Sequence, residues 1–224
     1  MRVLVIDTAL GLCSAGVFGV EGALVRPLGL RSEAMARGHQ ERLAGMARDA
    51  VAEAGGFAGV QRIGVTVGPG SFTGLRVGLA FAQGLGAALG RPVVGVSTLD
   101  ALAASVEGAG ATAALIDARR GQVYARFWRD GAALGAAEAL SIEAAGERAR
   151  ALGAGARLVG SGAGLVTAAE GAVVSDLAGP SPEALARLTA AADPREAPPR
   201  PLYLRAPDAT PPSRLPGQPR PPAS

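Results

Sequence analysis

The chain alternates short apolar, β-branched runs with longer segments in which apolar residues recur at helical spacing. In the first hundred residues this pattern predicts five strands and two helices in the order strand, hairpin, helix, strand, helix, strand. They fall at 3–6, at 15–20 with 23–28, at 34–54, at 63–67, at 72–89 and at 93–96. Three strands followed by alternating helices and strands are typical of a mixed sheet with helices on its faces.

The pattern begins again after Ser97, a residue that suits the N-cap of a short helix. It predicts strands at 113–116, 122–129, 157–159 and 172–174, and helices over 141–152 and after a cap at Ser181. A repeated order favours two related halves, so we expect one lobe over 1–100 and a smaller one over 101–205. Residues 206–224 are rich in Pro and poor in apolar residues, which predicts a disordered tail.

The stretch 61–78 carries the most information. A strand runs into the turn Gly68-Pro69-Gly70, and Ser71 is a good N-cap for the next helix. This arrangement can cradle an anion. A Walker A loop also needs a Lys, however, and all 22 basic residues of this chain are Arg. A dinucleotide fingerprint needs Gly where Thr73 stands. A tight turn that feeds a closely packed helix is therefore the alternative interpretation.

The predicted helix 72–89 has a stripe of small residues, in which every fourth position is Gly or Ala: Gly74, Gly78, Ala82 and Gly86. Each interior Gly costs about 1 kcal/mol relative to Ala, so three cost about 3 kcal/mol unless a close contact compensates. The rest of the helix is apolar as well, which requires burial on most sides. Either helix 34–54 covers the stripe or another subunit does. We predict a subunit interface formed by these residues: Gly74, Leu75, Gly78, Leu79, Ala82, Gly86, Leu43 and Met46.

Asp7 and Asp117 each end an apolar strand in the predicted halves. Paired acids at such positions can hold a divalent cation and nucleotide phosphates, so a vestigial nucleotide site would comprise Asp7, Thr8, Gly68, Gly70 and Asp117. The alternative is that each Asp caps the turn after its strand. His39 is the only histidine, and one His with one distant Cys supplies neither a catalytic pair nor a zinc site. We therefore predict no catalytic residue, no metal and no cofactor.

Composition narrows the function classes further. The chain is 49% hydrophobic but only 4% aromatic, and its net charge is +3. We interpret no aromatic-interleaved basic run as a stacking surface for single-stranded nucleic acid. The single Cys13 excludes a disulfide framework and fits a reducing compartment. The most apolar window, 77–90, is shorter than the roughly 20 residues of a membrane span, so we expect a cytoplasmic protein without membrane contact.

The motifs together resemble those of the TsaB (YeaZ) family, which takes part in threonylcarbamoyladenosine formation on tRNA. The hallmark is the run GPGSFTGLR. The resemblance covers about residues 1–205 and rests on 68–76, Ile6-Asp7-Thr8, His39, 116–124 and 201–205. It implies an α/β fold of the actin-like, Hsp70-like (ASKHA) type, with two ribonuclease-H-like lobes of mixed sheets flanked by helices. The short, Ala/Gly-rich second half and the proline tail depart from the family.

The resemblance also implies partners. A non-catalytic subunit of this kind would pair with a TsaD-like threonylcarbamoyltransferase, with a TsaE-like ATPase as third partner, and would meet tRNA indirectly through the complex. The enzyme's His-x-x-x-His metal pair would fall at Thr98 and Leu102, which cannot replace it. A homodimer of the free chain is the other use expected for helices 34–54 and 72–89. Two alternatives from other classes are a small actin-like-fold ATPase or kinase that uses Asp7 and Asp117, and a tRNA-binding module.

Overall fold

Two mixed β-sheets, each flanked by helices, make up the computed structural model, which describes residues 1–35, 37–108 and 110–205. The predicted tail at 206–224 lies outside the described residues. The first sheet has the strand order β3-β2-β1-β4-β5. Its elements are β1 (Arg2–Asp7), β2 (Leu12–Glu21), β3 (Leu24–Ala34), α1 (His39–Glu53), β4 (Arg62–Gly68), α2 (Phe72–Leu89) and β5 (Val93–Ser97).

The second sheet follows a short helix, α3 (Thr98–Ala103). Its strand order is β11-β10-β6-β7-β8, and β9 also pairs with β7. The elements are β6 (Ala111–Arg119), β7 (Gln122–Arg129), β8 (Ala132–Ala133), β9 (Glu138–Ser141), α4 (Ile142–Ala151), β10 (Arg157–Val159), β11 (Val173–Ser175) and α5 (Pro182–Ala191).

The two sheets repeat one topology. In the first, β1 pairs antiparallel with β2 and parallel with β4, and β4 continues in parallel to β5. In the second, β6 pairs antiparallel with β7 and parallel with β10, and β10 continues in parallel to β11. Each sheet therefore has the order of a ribonuclease-H-like lobe, and the predicted fold class is confirmed.

Helices cover both faces of the first sheet. Leu4 and Ile6 of β1 belong to the core that α1 and α2 close, whereas Val3 and Val5 pack with Leu185 of α5 on the opposite face. Because α5 follows the whole second sheet in the chain, the first lobe draws one of its helices from beyond residue 180. Sequence periodicity shows that this helix exists but carries no information about which sheet it covers.

Most predicted elements agree with the structure to within a few residues, and the main departure is at α1. The prediction began this helix at residue 34, but β3 continues to Ala34 by pairing with Leu12. The helix begins at His39, after Gly38 with a φ of 90°. The short strands β8 and β9 were not predicted. Both depend on pairing with β7 rather than on a pattern of their own.

Among the described residues, α2 is the helix whose length and composition would allow it to cross a membrane. The apolar window 77–90 predicted from the sequence is shorter, because it leaves out the first turn of this 18-residue helix. A core helix passes the same test, and α2 packs one face onto the first sheet through Gly74, Gly78 and Gly86. Only 33% of the helix is buried in the protomer, however. The rest of its surface is a feature of the candidate site below.

Candidate functional site

The GPGSFTGLR turn joins the end of β4 to the start of α2. Ser71 caps the helix as expected, and its Oγ accepts a hydrogen bond of 3.3 Å from the Gly74 amide. The Ser71 amide in turn donates to the carbonyl oxygen of Ala9 at 2.7 Å. A Cβ atom at Gly70 would lie 2.4 Å from that same oxygen. The turn is therefore packed backbone to backbone against the segment that follows β1.

The small-residue stripe of α2 lies inside the protomer. A Cβ atom at Gly74 would come within 2.1 Å of the Thr8 carbonyl oxygen, and one at Gly78 within 2.4 Å of Thr8 Oγ1. At Gly86 it would meet Val93 Cγ2 at 2.4 Å. The stripe thus packs on the sheet and the Thr8 segment of its own chain. The sequence pattern led us to expect that α1 or another subunit covers the stripe. In the structure, the first sheet and the Thr8 segment cover it instead.

The predicted interface residues consequently need correction. All eight are buried in the protomer, because they form the core between the first sheet and the helices α1 and α2. They are Gly74, Leu75, Gly78, Leu79, Ala82, Gly86, Leu43 and Met46. The periodicity of small residues correctly indicated that another element approaches α2 closely. The neighbour predicted for it was wrong, because the stripe contacts Thr8 and the first sheet. The prediction that α1 and α2 form an interface stays a prediction, and it now concerns their outward faces.

An apolar groove of about 530 Å³ lies between those outward faces. Leu43 is the one residue of the predicted interface that also lines it. Phe72, at the first turn of α2, is 49% exposed at one end of the groove, and its ring centroid lies 5.5 Å from that of Tyr203. The guanidinium carbon of Arg76 lies 3.8 Å from the Phe72 ring centroid. The full lining is Gln40, Leu43, Ala44, Phe72, Thr73, Arg76, Val77, Ala80 and Phe81.

Asp7, the first candidate metal ligand, is buried at the end of β1. Its Oδ1 accepts hydrogen bonds from Thr66 Oγ1 at 2.7 Å and from the Ala9 amide at 3.0 Å. Burial raises the pKa of this carboxyl, and the Thr66 hydrogen bond offsets part of the rise. Its Oδ2 and the Nε2 of His39 are buried without a hydrogen-bond partner among the described residues. Oδ1 of Asp7 is thus hydrogen-bonded within the protein, and Oδ2 is buried away from solvent.

Asp117, the second candidate ligand, holds the turn after its strand. Its Oδ1 accepts from the Arg119 amide at 2.8 Å, and its Oδ2 lies 3.0 Å from Arg119 Nη1. The other residues of the predicted vestigial site also have neighbours within the fold. Thr8 Oγ1 donates to Gly74, and Gly68 packs on the Leu202 carbonyl. In the part of the chain that the structure describes, His, Cys, Asp and Glu form no cluster of three that could hold a metal ion.

Sequence reasoning missed the segment that runs along the edge of the first sheet near the C-terminus. The Gly95 amide donates to the Ala197 carbonyl at 2.9 Å, and the Leu202 amide to the Val67 carbonyl at 2.7 Å. Gln83 Nε2 of α2 donates to the Pro199 carbonyl at 2.8 Å. This segment brings Tyr203 beside the groove. The run Pro-Leu-Tyr-Leu-Arg at 201–205 resembles a family motif, but no periodic signal indicates that this segment packs on β5 and α2.

Comparisons with known proteins agree on one family. The model described as "TsaD: tRNA N6-adenosine threonylcarbamoyltransferase" matches residues 25–158. An uncharacterized protein of Mycobacterium tuberculosis is 38% identical over 221 residues, 93% of this chain and 94% of its own. The tRNA threonylcarbamoyladenosine biosynthesis protein TsaB of Escherichia coli is 37% identical over 135 residues, and the match spans 58% of this chain and 56% of that relative. The solved structure of YeaZ from Pseudomonas aeruginosa superposes with a TM-score of 0.76 at 32% identity, covering 91% of this chain and 99% of that one.

Proposed function

Because this chain belongs to the TsaB (YeaZ) family, we propose that it is a non-catalytic subunit required for threonylcarbamoyladenosine modification of tRNA. In this proposal it pairs with a TsaD-like threonylcarbamoyltransferase and activates it, together with a TsaE-like ATPase. The modified base is the adenosine 3′ of the anticodon, which the enzyme subunit holds. The work is proposed to take place in the cytoplasm.

The observation that carries the proposal is the outward face of α2. Arg76 is the only charged residue among the 18 of this helix, yet only 33% of the helix is buried in the protomer. Ala80 is exposed and Phe81 is half-buried beside the groove. An exposed helix face with one charged residue, beside an apolar groove, is typical of a protein-binding face. The neighbouring face of α1 continues it across the groove.

We propose the TsaD-like enzyme as the occupant of this groove. The TsaD family model matches this chain over 25–158, a range that includes all of α1 and α2. An enzyme with the same first lobe would present a corresponding helix pair. Two such pairs can pack apolar face to apolar face as a four-helix layer. A homodimer would use the same surface, and the experiment below separates the two.

The lack of a catalytic or metal-binding set of residues in the sequence supports a non-catalytic role. The sequence has a single His and no Lys, and Thr98 and Leu102, at the positions of the enzyme's metal pair, are fully buried. The rival ATPase or kinase would need Asp7 to coordinate a cation. A buried carboxyl with a raised pKa and one oxygen already bound to Thr66 is poorly suited to that task. Micromolar binding of Mg-ATP by the isolated chain, measured by calorimetry, would favour the rival.

The groove is tested with Ala80→Glu, which places a charge at the centre of the apolar face without disturbing the core. Leu165→Glu is the matched control, since Leu165 is 45% exposed but lies in the second lobe. We expect Ala80→Glu to abolish co-purification with the TsaD-like enzyme and modification of tRNA, while the control retains both. If Ala80→Glu only dissociates a homodimer and leaves the enzyme bound, the groove belongs to the second copy. If Ala80→Glu retains both enzyme binding and tRNA modification, the proposed surface is refuted.

A further inference from the structure

Arg76 is exposed on the outward face of α2, one turn into the helix. Its guanidinium carbon lies 3.8 Å from the centroid of the Phe72 ring. Among the described residues, no acidic side chain forms a salt bridge with it. The two arginines of the neighbouring α1, in contrast, each have an acidic partner within 3.0 Å: Arg42 pairs with Glu33 and Arg48 with Asp49.

The stability of α2 does not explain the charge of Arg76. Positive charge near the N-terminus of a helix opposes the helix dipole, and α2 has no acidic residue to balance it. Ser71 Oγ accepts a hydrogen bond from the Gly74 amide. By helix geometry, the amides of Phe72 and Thr73 have no acceptor within the helix. This end of α2 therefore presents positive charge that no residue of the helix offsets.

A second cavity, of about 380 Å³, adjoins the groove at this end. The first turns of α1 and α2 both line it, and it shares part of its lining with the groove. Arg37, which is exposed, adds a second positive charge. Glu41 carries the negative charge of the lining, and its Oε2 lies 3.7 Å from the place of a Cβ atom at Gly38, the N-cap of α1. Glu41 thus offsets the N-terminus of its own helix, and the end of α2 stays positive.

The contact with Phe72 prepares Arg76 for a carboxylate. The donors of a guanidinium lie in its plane, so a ring against its face leaves them available, and a carboxylate accepts two of them in parallel. A phosphate also accepts in this way. The groove beside Arg76 is apolar, however, with Val77, Ala80 and Phe81 in its lining. A nucleic-acid backbone would place charged groups against that surface, whereas an amphipathic helix places apolar side chains there.

We propose that the partner helix seated in the groove carries an Asp or Glu whose carboxylate pairs with Arg76. This inference rests on the proposed function, because it takes the TsaD-like enzyme as the partner. A second copy of this chain would bring an α2 that has no carboxylate. An apolar groove by itself accepts a helix in either direction, and one charged end selects one of them. Arg76 is therefore a specificity-determining residue that orients the partner.

The test measures binding of the full chain to the TsaD-like enzyme by surface plasmon resonance at several salt concentrations. Arg76→Gln removes the charge and Arg76→Glu reverses it. Urea denaturation should give both variants the unfolding free energy of the wild type, since Arg76 is exposed and its described contact is the exposed Phe72 ring. Arg91→Gln and Arg91→Glu are the matched controls, because Arg91 is exposed just beyond the other end of α2.

We expect Arg76→Gln to weaken binding about tenfold and Arg76→Glu about 100-fold or more at low salt, with smaller losses at high salt because screening weakens the wild-type pair. The Arg91 variants should lose less than about threefold. Each Asp and Glu on the enzyme helices that correspond to α1 and α2 is then changed to Arg. One of these changes should weaken binding of the wild type and restore about tenfold or more of the affinity that Arg76→Glu loses.

Equal affinities of the wild type and Arg76→Gln would overturn the inference and leave the proposed function standing. The inference is also overturned if no substitution in the enzyme rescues Arg76→Glu. Unchanged enzyme affinity with weaker tRNA binding by the complex would assign Arg76 to nucleic acid, and loss of self-association alone would assign the groove to a second copy; either result overturns it. If the wild type does not bind the enzyme, the proposed function and the inference both fail.

Discussion

Thr8 Oγ1 donates a hydrogen bond of 2.7 Å to the carbonyl oxygen of Gly74 and so joins the end of β1 to the first turn of α2. The contact is possible because the helix has no side chain at this position. A Cβ atom there would lie 2.1 Å from the Thr8 carbonyl oxygen. The glycines of the GPGSFTGLR run therefore set the distance between helix and sheet. In doing so they turn the bulkier, apolar face of α2 towards the groove.

Two glycines of α2 should respond in opposite directions to the same substitution. Gly74→Ala should lower the free energy of unfolding by about 1–3 kcal/mol, because the new methyl group overlaps the backbone at Thr8. Gly84 is exposed, with no heavy atom of another element within 4 Å of an added Cβ. Gly84→Ala should raise the free energy of unfolding by about 0.5–1 kcal/mol through helix propensity. Urea denaturation of the two variants measures both; effects of the same sign would contradict the packing described for the stripe.

Asp7 should make stability depend on pH. Its pKa is raised in the folded protein, so the folded state binds more protons than the unfolded state between the two pKa values. The favourable contribution is present below the ordinary Asp pKa of about 4 and is lost as pH rises through the folded value. Asp7→Asn keeps an acceptor for Thr66 and removes the buried charge. The difference in unfolding free energy between variant and wild type should therefore grow in the variant's favour as pH rises from 4 to 7, as measured by urea titration.

The same series has a clear opposing outcome. If the wild type gained stability relative to Asp7→Asn with rising pH, the ionised carboxyl would be favoured in the fold, and a bound cation or an additional donor would be needed to explain it. Glu107→Gln serves as the control, because Glu107 is exposed. Its pH profile should follow that of the wild type.

Cys13 should be unreactive in the folded protein. Burial raises the pKa of its thiol to about 11, and the negative charge of Asp7 adds to the rise. At pH 8 the thiolate fraction is then on the order of 200-fold smaller than for an ordinary cysteine. Labelling with a disulfide reagent should be slow in native buffer and rapid in denaturant. Fast labelling of the folded protein would show that β2 opens to solvent.

Phe72 should contribute to partner binding more than to folding. It is 49% exposed and contacts Tyr203 and Arg76 at the end of the groove. Phe72→Ala should change the free energy of unfolding by less than about 1 kcal/mol and weaken binding of the TsaD-like enzyme by about tenfold or more, as aromatic anchors of interfaces do. Leu134→Ala, 56% exposed in the second lobe, is the control. Surface plasmon resonance on the three proteins measures the difference; equal affinities would remove Phe72 from the interface.

The sequence predicts the elements of this fold well where local patterns decide them. The helix 72–89 and the strand 157–159 match α2 and β10 residue for residue, and the caps at Ser71 and Ser181 are present with their expected hydrogen bonds. Apolar periodicity and capping act within a few residues of each other, so one sequence is enough to locate them. The division into two repeated sheets follows from the order of these elements.

Long-range packing is where sequence reasoning failed. The spacing of Gly74, Gly78 and Gly86 indicates a close neighbour but not that the neighbour is Thr8 and the sheet. Likewise, nothing in the pattern of α5 indicates that it covers the first sheet rather than the second.

Reconstitution of tRNA modification from purified subunits tests the central claim most directly. The TsaD-like enzyme and the TsaE-like ATPase are incubated with tRNA, ATP and the threonylcarbamoyl donor, with or without this chain, and threonylcarbamoyladenosine is quantified by mass spectrometry. We predict modification only when this chain is present, and none from the chain alone. Full modification without it, or turnover of any substrate by the chain on its own, would contradict its role as a non-catalytic subunit.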